Sequence, residues 1–302
     1  MTLEQLRIFV AVAEREHVTG AARDINLTQS AVSAAIAALE ARYATRLFDR
    51  VGRRIELTQA GRLFLTEARA VLARAAAAET VLMDLAGLAR GVLSLAASQT
   101  VANYWLPPVM HRFRSLHPGI ALDLTIGNTE QVAALVRDGE TDLGFVEGEV
   151  DEPALAIHAI AEDDLVLVVA PDHPWAGRGA VDLPAFPETL WVLREPGSGT
   201  RAMFESALRA VGVAPERLEV ALQLPSNEAV RSAVEAGAGA TVISGLVSAP
   251  SVRAGLLVRL DAALPKRRFL ALCHKERYTT KAGQALLGLI GYRPDTGTVS
   301  SV

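Results

Sequence analysis

Residues 27–43 read LTQSAVSAAIAALEARY. Thr28 stands where a helix N-cap belongs, with a hydroxyl able to accept from the N–H groups of the first turn. Behind it Val32, Ala35, Ile36 and Leu39 recur at helical spacing and mark one buried stripe. Gln29, Ser30, Ser33 and Ala34 fall on the other side, at the exposed N-terminal end. A helix packed on one face that offers Gln and Ser from its first turn has the form of a DNA recognition helix, and Gln pairs bidentately with adenine N6 and N7. An ordinary amphipathic helix with a polar first turn has the same local pattern, so the flanking sequence decides.

Upstream, Leu3–Glu16 predicts a helix with Leu6, Phe9, Val10 and Ala13 on one face. Thr19 is expected to cap a short helix, Gly20–Asp24, which a tight turn at Asn26 joins to the capped helix after Thr28. That is the helix-turn-helix layout. Downstream lies RLFDRVGRRIELTQAG, residues 46–61. Two short apolar pieces, Leu47–Phe48 and Ile55–Leu57, flank Gly52-Arg53-Arg54 and predict a small β-wing with arginines at its tip. Arg53 and Arg54, with Arg50 beside them, are candidates for DNA contact, since arginine enters narrow A·T minor grooves. A solvated turn holding two arginines is the plainer alternative.

The segments LEQLRIFVAVAE, TGAARDINLTQSAVSAAIAALE, LFDR and LTQAG together resemble the winged helix-turn-helix of LysR-type transcriptional regulators. The resemblance implies an α/β chain in three parts: the winged domain, a long linker helix, and a two-lobed effector-binding domain like the periplasmic binding proteins. It implies DNA contacts from Thr28, Gln29, Ser30, Ser33, Arg50, Arg53 and Arg54. Many members carry Pro where this chain has Ser30 and Arg where it has Ala34, so the operator sequence stays open.

The totals agree with that plan. A chain of 302 residues accommodates two or three domains, and half its residues are hydrophobic. The single cysteine, Cys273, excludes an intrachain disulfide and fits a reducing compartment. The opening MTLEQLRIF lacks a secretion signal, and no apolar run reaches the ~18 residues of a spanning helix. A soluble, cytoplasmic protein without a membrane partner is expected. The net charge of −4 is unevenly spread: residues 1–90 hold 12 Arg, no Lys and 10 acids, a net of +2, and the remainder is at −6. Between Arg42 and Arg54 five arginines face one acid, Asp49, a local basic edge for phosphates.

Thr58 is expected to cap a helix from about Gln59 to Ala89. Phe64, Ala68, Val71, Ala75, Ala78, Leu82, Leu85 and Ala89 step by 4 and 3 along it, a heptad seam that reads as a dimerisation surface. Packing against its own domain is the alternative. A dimer presents two recognition helices to a roughly palindromic operator. The resemblance favours a tetramer over a dimer, and RNA polymerase is a further candidate partner.

From Gly91 onward strand-like and helix-like segments alternate, which argues for βαβ units and a parallel sheet. Pro107-Pro108 is expected to kink a helix over Thr100–His117 or to mark its late start. The resemblance implies domains at 1–58, 59–90 and 91–293, with lobe I at 91–161 and 266–293, lobe II at 162–265, and a disordered tail from Pro294. Ligands in open α/β sheets bind beyond the carboxyl ends of strands, at helix N-termini. Four such junctions carry small hydroxyl or amide residues: Ser98-Gln99-Thr100, Asn128-Thr129, Gly197-Ser198-Gly199-Thr200-Arg201 and Ser226-Asn227. Donors at positive helix ends favour an anionic ligand, whereas each junction alone is also explained by N-capping. The pattern resembles the carbon-fixation and sulfur-assimilation regulators of the family, whose effectors are small metabolites or oxyanions.

Enzyme readings fare worse. The Gly197–Thr200 loop lacks the lysine and spacing of a P-loop, and Gly237-Ala238-Gly239 follows a helix, the wrong order for a dinucleotide fingerprint. Cys273 and His274 are strand neighbours that face opposite sides. No catalytic residue, metal site or cofactor is expected. The rival reading is a small-molecule-binding domain or enzyme fused to a structural helical dimeriser; an exposed turn with Gln29 and Ser33 beside a wing arginine distinguishes the regulator.

Overall fold

The computed structural model describes residues 1–51, 54–85 and 91–292. The chain forms two compact units, one built on Met1–Gly87, the other on Leu88–Arg137 and Thr141–Val302.

In the first unit, α1 (Leu3–Arg15) is closed at its start by a capping box. Thr2 accepts from Gln5 N–H, and the Gln5 side chain accepts from Thr2 N–H. The cap of α2 (Val18–Asp24) is His17, whose Nδ1 accepts from Gly20 N–H at 3.0 Å. Thr19, expected to be the cap, lies inside the helix, which starts one residue earlier at Val18 behind the His17 imidazole. Asn26 turns the chain at φ 55°, a left-handed conformation that asparagine tolerates. Thr28 then caps α3 (Gln29–Tyr43), accepting from Ala31 N–H at 3.2 Å. Val32 and Leu39 are buried, while Ala35 and Ile36 are half-buried against the same core.

The strands β1 (Phe48–Val51) and β2 (Arg54–Leu57) form the antiparallel wing, with Val51 opposite Arg54. Each extends beyond the apolar pieces that marked it. Glu40 fastens the wing to α3 by accepting from the N–H groups of Leu47 and Phe48. Thr58 caps α4 (Gln59–Leu85), accepting from Gly61 N–H at 2.9 Å. Its first turns do not belong to a free seam. Phe64, Leu65, Ala68 and Leu72 pack with Leu6, Phe9 and Leu39, so the proposed seam members Phe64 and Ala68 are core residues of their own unit. Val71 and Leu82, at 41% and 67% exposed, stay free along the rest of the helix. Ala89 and the tail from Pro294 lie outside the described residues.

The second unit has two lobes joined by strands. In the first lobe β3 (Gly91–Ser98) pairs in parallel with β4 (Ile120–Gly127) and β5 (Leu143–Glu147). Long β6 (Leu155–Val169) carries the chain out of this lobe, and β11 (Lys266–His274) brings it back. One strand leaves and the other returns, so they run antiparallel, with Arg267 opposite Asp163. The sheet is therefore mixed, not wholly parallel as the βαβ alternation led one to expect. The far half of β6, Leu165–Val169, belongs to the second lobe, where β9 (Thr241–Ser244) and β10 (Val258–Leu260) pair with it. β7 (Leu190–Arg194) and β8 (Glu219–Leu224) are parallel, and a bridge between Trp191 and Ala240 ties them to β9. The crossing thus falls near Asp164, a few residues past the boundary expected at 161.

Helices complete the layers: α5 (Leu106–Leu116), α6 (Thr129–Asp138), α7 (Gly199–Ala210), α8 (Asn227–Glu235), α9 (Gly245–Arg253) and α10 (Lys281–Leu289). A π-helical turn, Val101–Trp105, precedes α5, and Pro107-Pro108 sit in its first turn, where the missing N–H costs no helical bond. Lobe I centres on Leu93, Leu95, Phe145 and Phe269, lobe II on Trp191, Phe186 and Phe204.

Candidate functional site

The first candidate surface is the start of α3. Thr28, Gln29, Ser30, Ser33 and Ala34 are all exposed, while Val32 between them is fully buried. The Ser30 hydroxyl sits 3.0 Å from that of Thr28, so these two are partly engaged with each other. Gln29 and Ser33 project from a helix whose opposite face anchors the unit. Arg50 and Arg54 lie on the two wing strands by backbone position, their side chains outside the described set, and Arg53 lies outside the described residues.

The second candidate lies between the lobes. The four junctions meet there. Ser98 ends β3 and Thr100 follows it in lobe I; Thr200 lies in the first turn of α7 and Asn227 opens α8 in lobe II. All four are at most 1% exposed. Asn227 Nδ2 donates to Thr100 Oγ1 at 3.1 Å, Gln99 Nε2 to the Pro225 carbonyl at 2.7 Å, and Asn227 N–H to Gln99 Oε1 at 2.9 Å. Gly197 is held at φ 84°, and a Cβ there would meet Glu130 Oε2 at 2.7 Å, which explains the glycine. Gly199 is more constrained: its Cβ would stand 2.1 Å from the Glu147 carbonyl and 2.5 Å from Thr129 Oγ1.

The centre of this cluster was not among the expected residues. Glu147, at the end of β5, is 2% exposed, and the hydroxyls of Ser98, Thr100 and Thr200 all donate to its carboxylate. Arg267, 1% exposed, donates through Nε to Asp163 and through Nη1 to Thr200 Oγ1, and stands 3.7 Å from Glu147. Ser244 completes the Asp163 carboxylate at 2.9 Å. Arg194 donates to Asn227 Oδ1 at 2.6 Å and pairs with Glu195. Glu195 is held below the usual carboxylate range by hydrogen bonds and charge from Arg194, against the opposing effect of burial. Every charge here has a partner, as burial in a low dielectric requires.

Placement separates the junction residues into two sets. Asn128 and Ser226 are helix caps: each accepts from the N–H three residues on, Gln131 and Ala229 respectively, and Asn128 Nδ2 also donates to Glu195 Oε1 of lobe II at 3.4 Å. Ser98, Thr100, Thr200 and Asn227 belong to the ionic cluster, and the Thr129 hydroxyl donates to the Glu147 carbonyl. Ser198 is buried at the start of α7 without a side-chain capping bond. Arg201 is turned along α7 to Glu205, the Arg194 carbonyl and Gln223, away from the hydroxyls, so it is not the cation of this cluster. That role falls to Arg267. Period-two alternation in KRRFLALCH puts Arg267 on the same face as buried Phe269 and Ala271, a usable signal.

An apolar groove of about 530 Å³ lies beside Met203, Ala207 and Leu264 of lobe II, with Ser206 and, from lobe I, Glu149 as the polar residues of its lining. It lacks convergent polar groups, and the interlobe cluster is the stronger site. Cys273 is a core residue whose thiol burial pushes up to about 11, which keeps it protonated and unreactive at neutral pH. Among the described residues no group of three His, Cys, Asp or Glu is placed to hold a metal ion, and no helix is long and apolar enough to cross a membrane.

The comparisons agree with this geometry. Residues 3–62 match the bacterial regulatory helix-turn-helix of the lysR family, and residues 86–293 match the LysR substrate binding domain. The chain is 34% identical over 284 residues to the HTH-type transcriptional regulator YeiE of Escherichia coli (strain K12), covering 93% of this chain and 94% of that one. It is 34% identical over 286 residues to the RuBisCO operon transcriptional regulator of Allochromatium vinosum, covering 94% and 93%. The solved Synechocystis PCC6803 CcmR regulatory domain in complex with 2-PG superposes with a TM-score of 0.61 at 28% identity, over 68% of this chain and 99% of that one. An exposed capped helix beside a wing, a two-lobed body closed over buried polar groups, and these matches lead to one conclusion: the chain is a LysR-family transcriptional regulator, with a DNA-binding helix-turn-helix and an effector-binding domain.

Proposed function

We propose that this regulator binds a roughly palindromic operator as a homodimer or homotetramer and responds to a small anionic effector held between its lobes. The observation that carries the reading is the convergence of Ser98, Thr100, Thr200 and Asn227 from both lobes on one buried cluster. A ligand placed there touches both lobes and thereby biases their closure. The positive ends of α6, α7 and α8 face the same region, which favours an anion. The 2-PG complex of the CcmR domain supports a small-molecule ligand for this domain. The same reading places the protein in the cytoplasm, gives it no catalytic step, and makes RNA polymerase its further partner. The test is footprinting on DNA upstream of its own gene, with small anions from a thermal-shift screen. A specific footprint that a screened anion alters supports the reading; a protein that protects no sequence, or protects it identically with every ion, refutes it.

Gln29 is proposed to read an adenine. Gln29→Ala is expected to lose about 1–3 kcal/mol of base discrimination at one position of each half-site. Competition binding against single-base operator variants measures this, and an unchanged specificity profile removes Gln29 from the readout.

The oligomer is proposed to form along the exposed stretch of α4 from Val71 to Leu82. Leu82→Lys places a charge in that contact and weakens association, because an unpaired buried charge is costly. Sedimentation of the variant is expected to show dissociation at concentrations where the wild type remains assembled. An unchanged assembly rules this stretch out.

A further inference from the structure

Glu147 stands where the hydroxyl donors meet. Ser98, Thr100 and Thr200 each direct their hydroxyl hydrogen at its carboxylate, from both lobes. An anion that takes those hydroxyls therefore lies against the carboxylate itself. The charges facing Glu147 do not neutralise a second anion. Among the described residues Arg267 on β11 is the one cation that pairs with it, at 3.7 Å, and Arg267 is already bonded to Asp163 on β6. Ser98, Thr100, Thr129 on α6 and Thr200 on α7 present only hydroxyls. Arg194 on β7, one bond further through Asn227, is matched by Glu195. Two carboxylates against one guanidinium leave the inner cluster at −1 before any ligand arrives.

Two oxyanions in contact in a desolvated site repel unless a proton lies between their oxygens. We propose that the cleft takes a small oxyanion together with one proton, held between an oxygen of the ion and the Glu147 carboxylate. This rests on the anionic-effector reading above and narrows it to ions that carry an acidic hydrogen at neutral pH, such as hydrogenphosphate. An ion without one, such as sulfate, binds only by drawing a proton from solvent onto Glu147. In both cases a single O–H···O bridge forms, while the ion's other oxygens accept from the hydroxyls that Glu147 releases.

Inorganic phosphate and sulfate test this at pH 8, where both are dianions of nearly equal size and only phosphate bears a proton. Calorimetric titration of the full chain is expected to show phosphate binding about tenfold or more tightly than sulfate, the effect of one hydrogen bond to a charged group. Sulfate affinity is expected to fall about tenfold per pH unit from pH 6 to 8, because each bound ion takes up one proton. Phosphate, which brings its own, varies less. In Glu147→Gln the side-chain amide donates a hydrogen bond itself, and the preference for phosphate disappears. Should that variant not fold, the wild-type pH series decides by itself. Equal affinity for the two ions with a flat sulfate profile overturns the proposal and leaves the anion cleft standing. Binding of neither ion overturns it as well, and the cleft is then judged separately, by Thr200→Val against a screened effector.

Discussion

Arg267→Met lowers the stability of the C-terminal unit by about 3–5 kcal/mol, the cost of breaking a buried ion pair by removing one partner. Methionine fills a similar volume but leaves Asp163 and Glu147, each with a side chain 3% exposed, without their cation. It also takes away one donor each from Thr100 and Thr200. Trp105, Trp175 and Trp191 are the chain's three tryptophans and all lie in this unit, so urea unfolding followed by tryptophan fluorescence reports on it directly. A loss under about 1 kcal/mol, the scale of an ordinary exposed pair, would mean that the guanidinium is not the cation that holds the cluster together.

Gly199→Ala has the second large effect. The added methyl group would stand 2.1 Å from the Glu147 carbonyl and 2.5 Å from Thr129 Oγ1, neither of which is the end of a flexible side chain. Relief requires α7 to move off the end of β5, where Gly148 at φ 94° lets the two backbones approach. Overpacking of this kind costs about 1–3 kcal/mol, and here the strain falls on lobe closure. Thermal unfolding is expected to shift downward, with effector affinity reduced about tenfold, a further 1.4 kcal/mol. Gly245→Ala is the control, because its methyl group meets nothing nearer than 3.6 Å. A Gly199→Ala protein indistinguishable from that control would show that α7 and β5 need not approach so closely.

The DNA-binding unit was legible because its signals are local. Thr28, Asn26 and the alternation of Val32 and Leu39 with exposed Gln29 and Ser33 lie within one helix and its turn. The same locality misled at Thr19, where two nearby residues are able to cap and the helix starts behind His17. The seam on α4 was half legible. Spacing marks Phe64 and Ala68 as apolar positions but cannot say whether α1 or a second chain covers them. The cleft divides in the same manner. Its rim of hydroxyls follows from strand-to-helix order, since each junction is a short segment. Its centre does not, beyond the alternation that buries Arg267, because Glu147 on β5 and Asp163 on β6 meet Arg267 only through the return of β11, and Arg267 meets Asp163 across 104 residues of chain. Charged residues at strand ends are ordinarily solvated. Nothing local distinguishes Glu147 from Glu149, two residues on.

Thr200 offers the most direct measurement of the central claim, that the effector binds where both lobes converge. Its hydroxyl accepts from Arg267 and donates to Glu147. Calorimetric titration of a screened effector into wild type, Thr200→Val and Thr200→Ser separates ligand contact from packing, because serine keeps the hydroxyl and valine keeps the volume. The valine variant is expected to bind about ten- to a hundredfold more weakly, the loss of one hydrogen bond to a charged ligand, and the serine variant within a few-fold of wild type. Equal affinity in wild type and the folded valine variant would contradict the account and place the effector elsewhere.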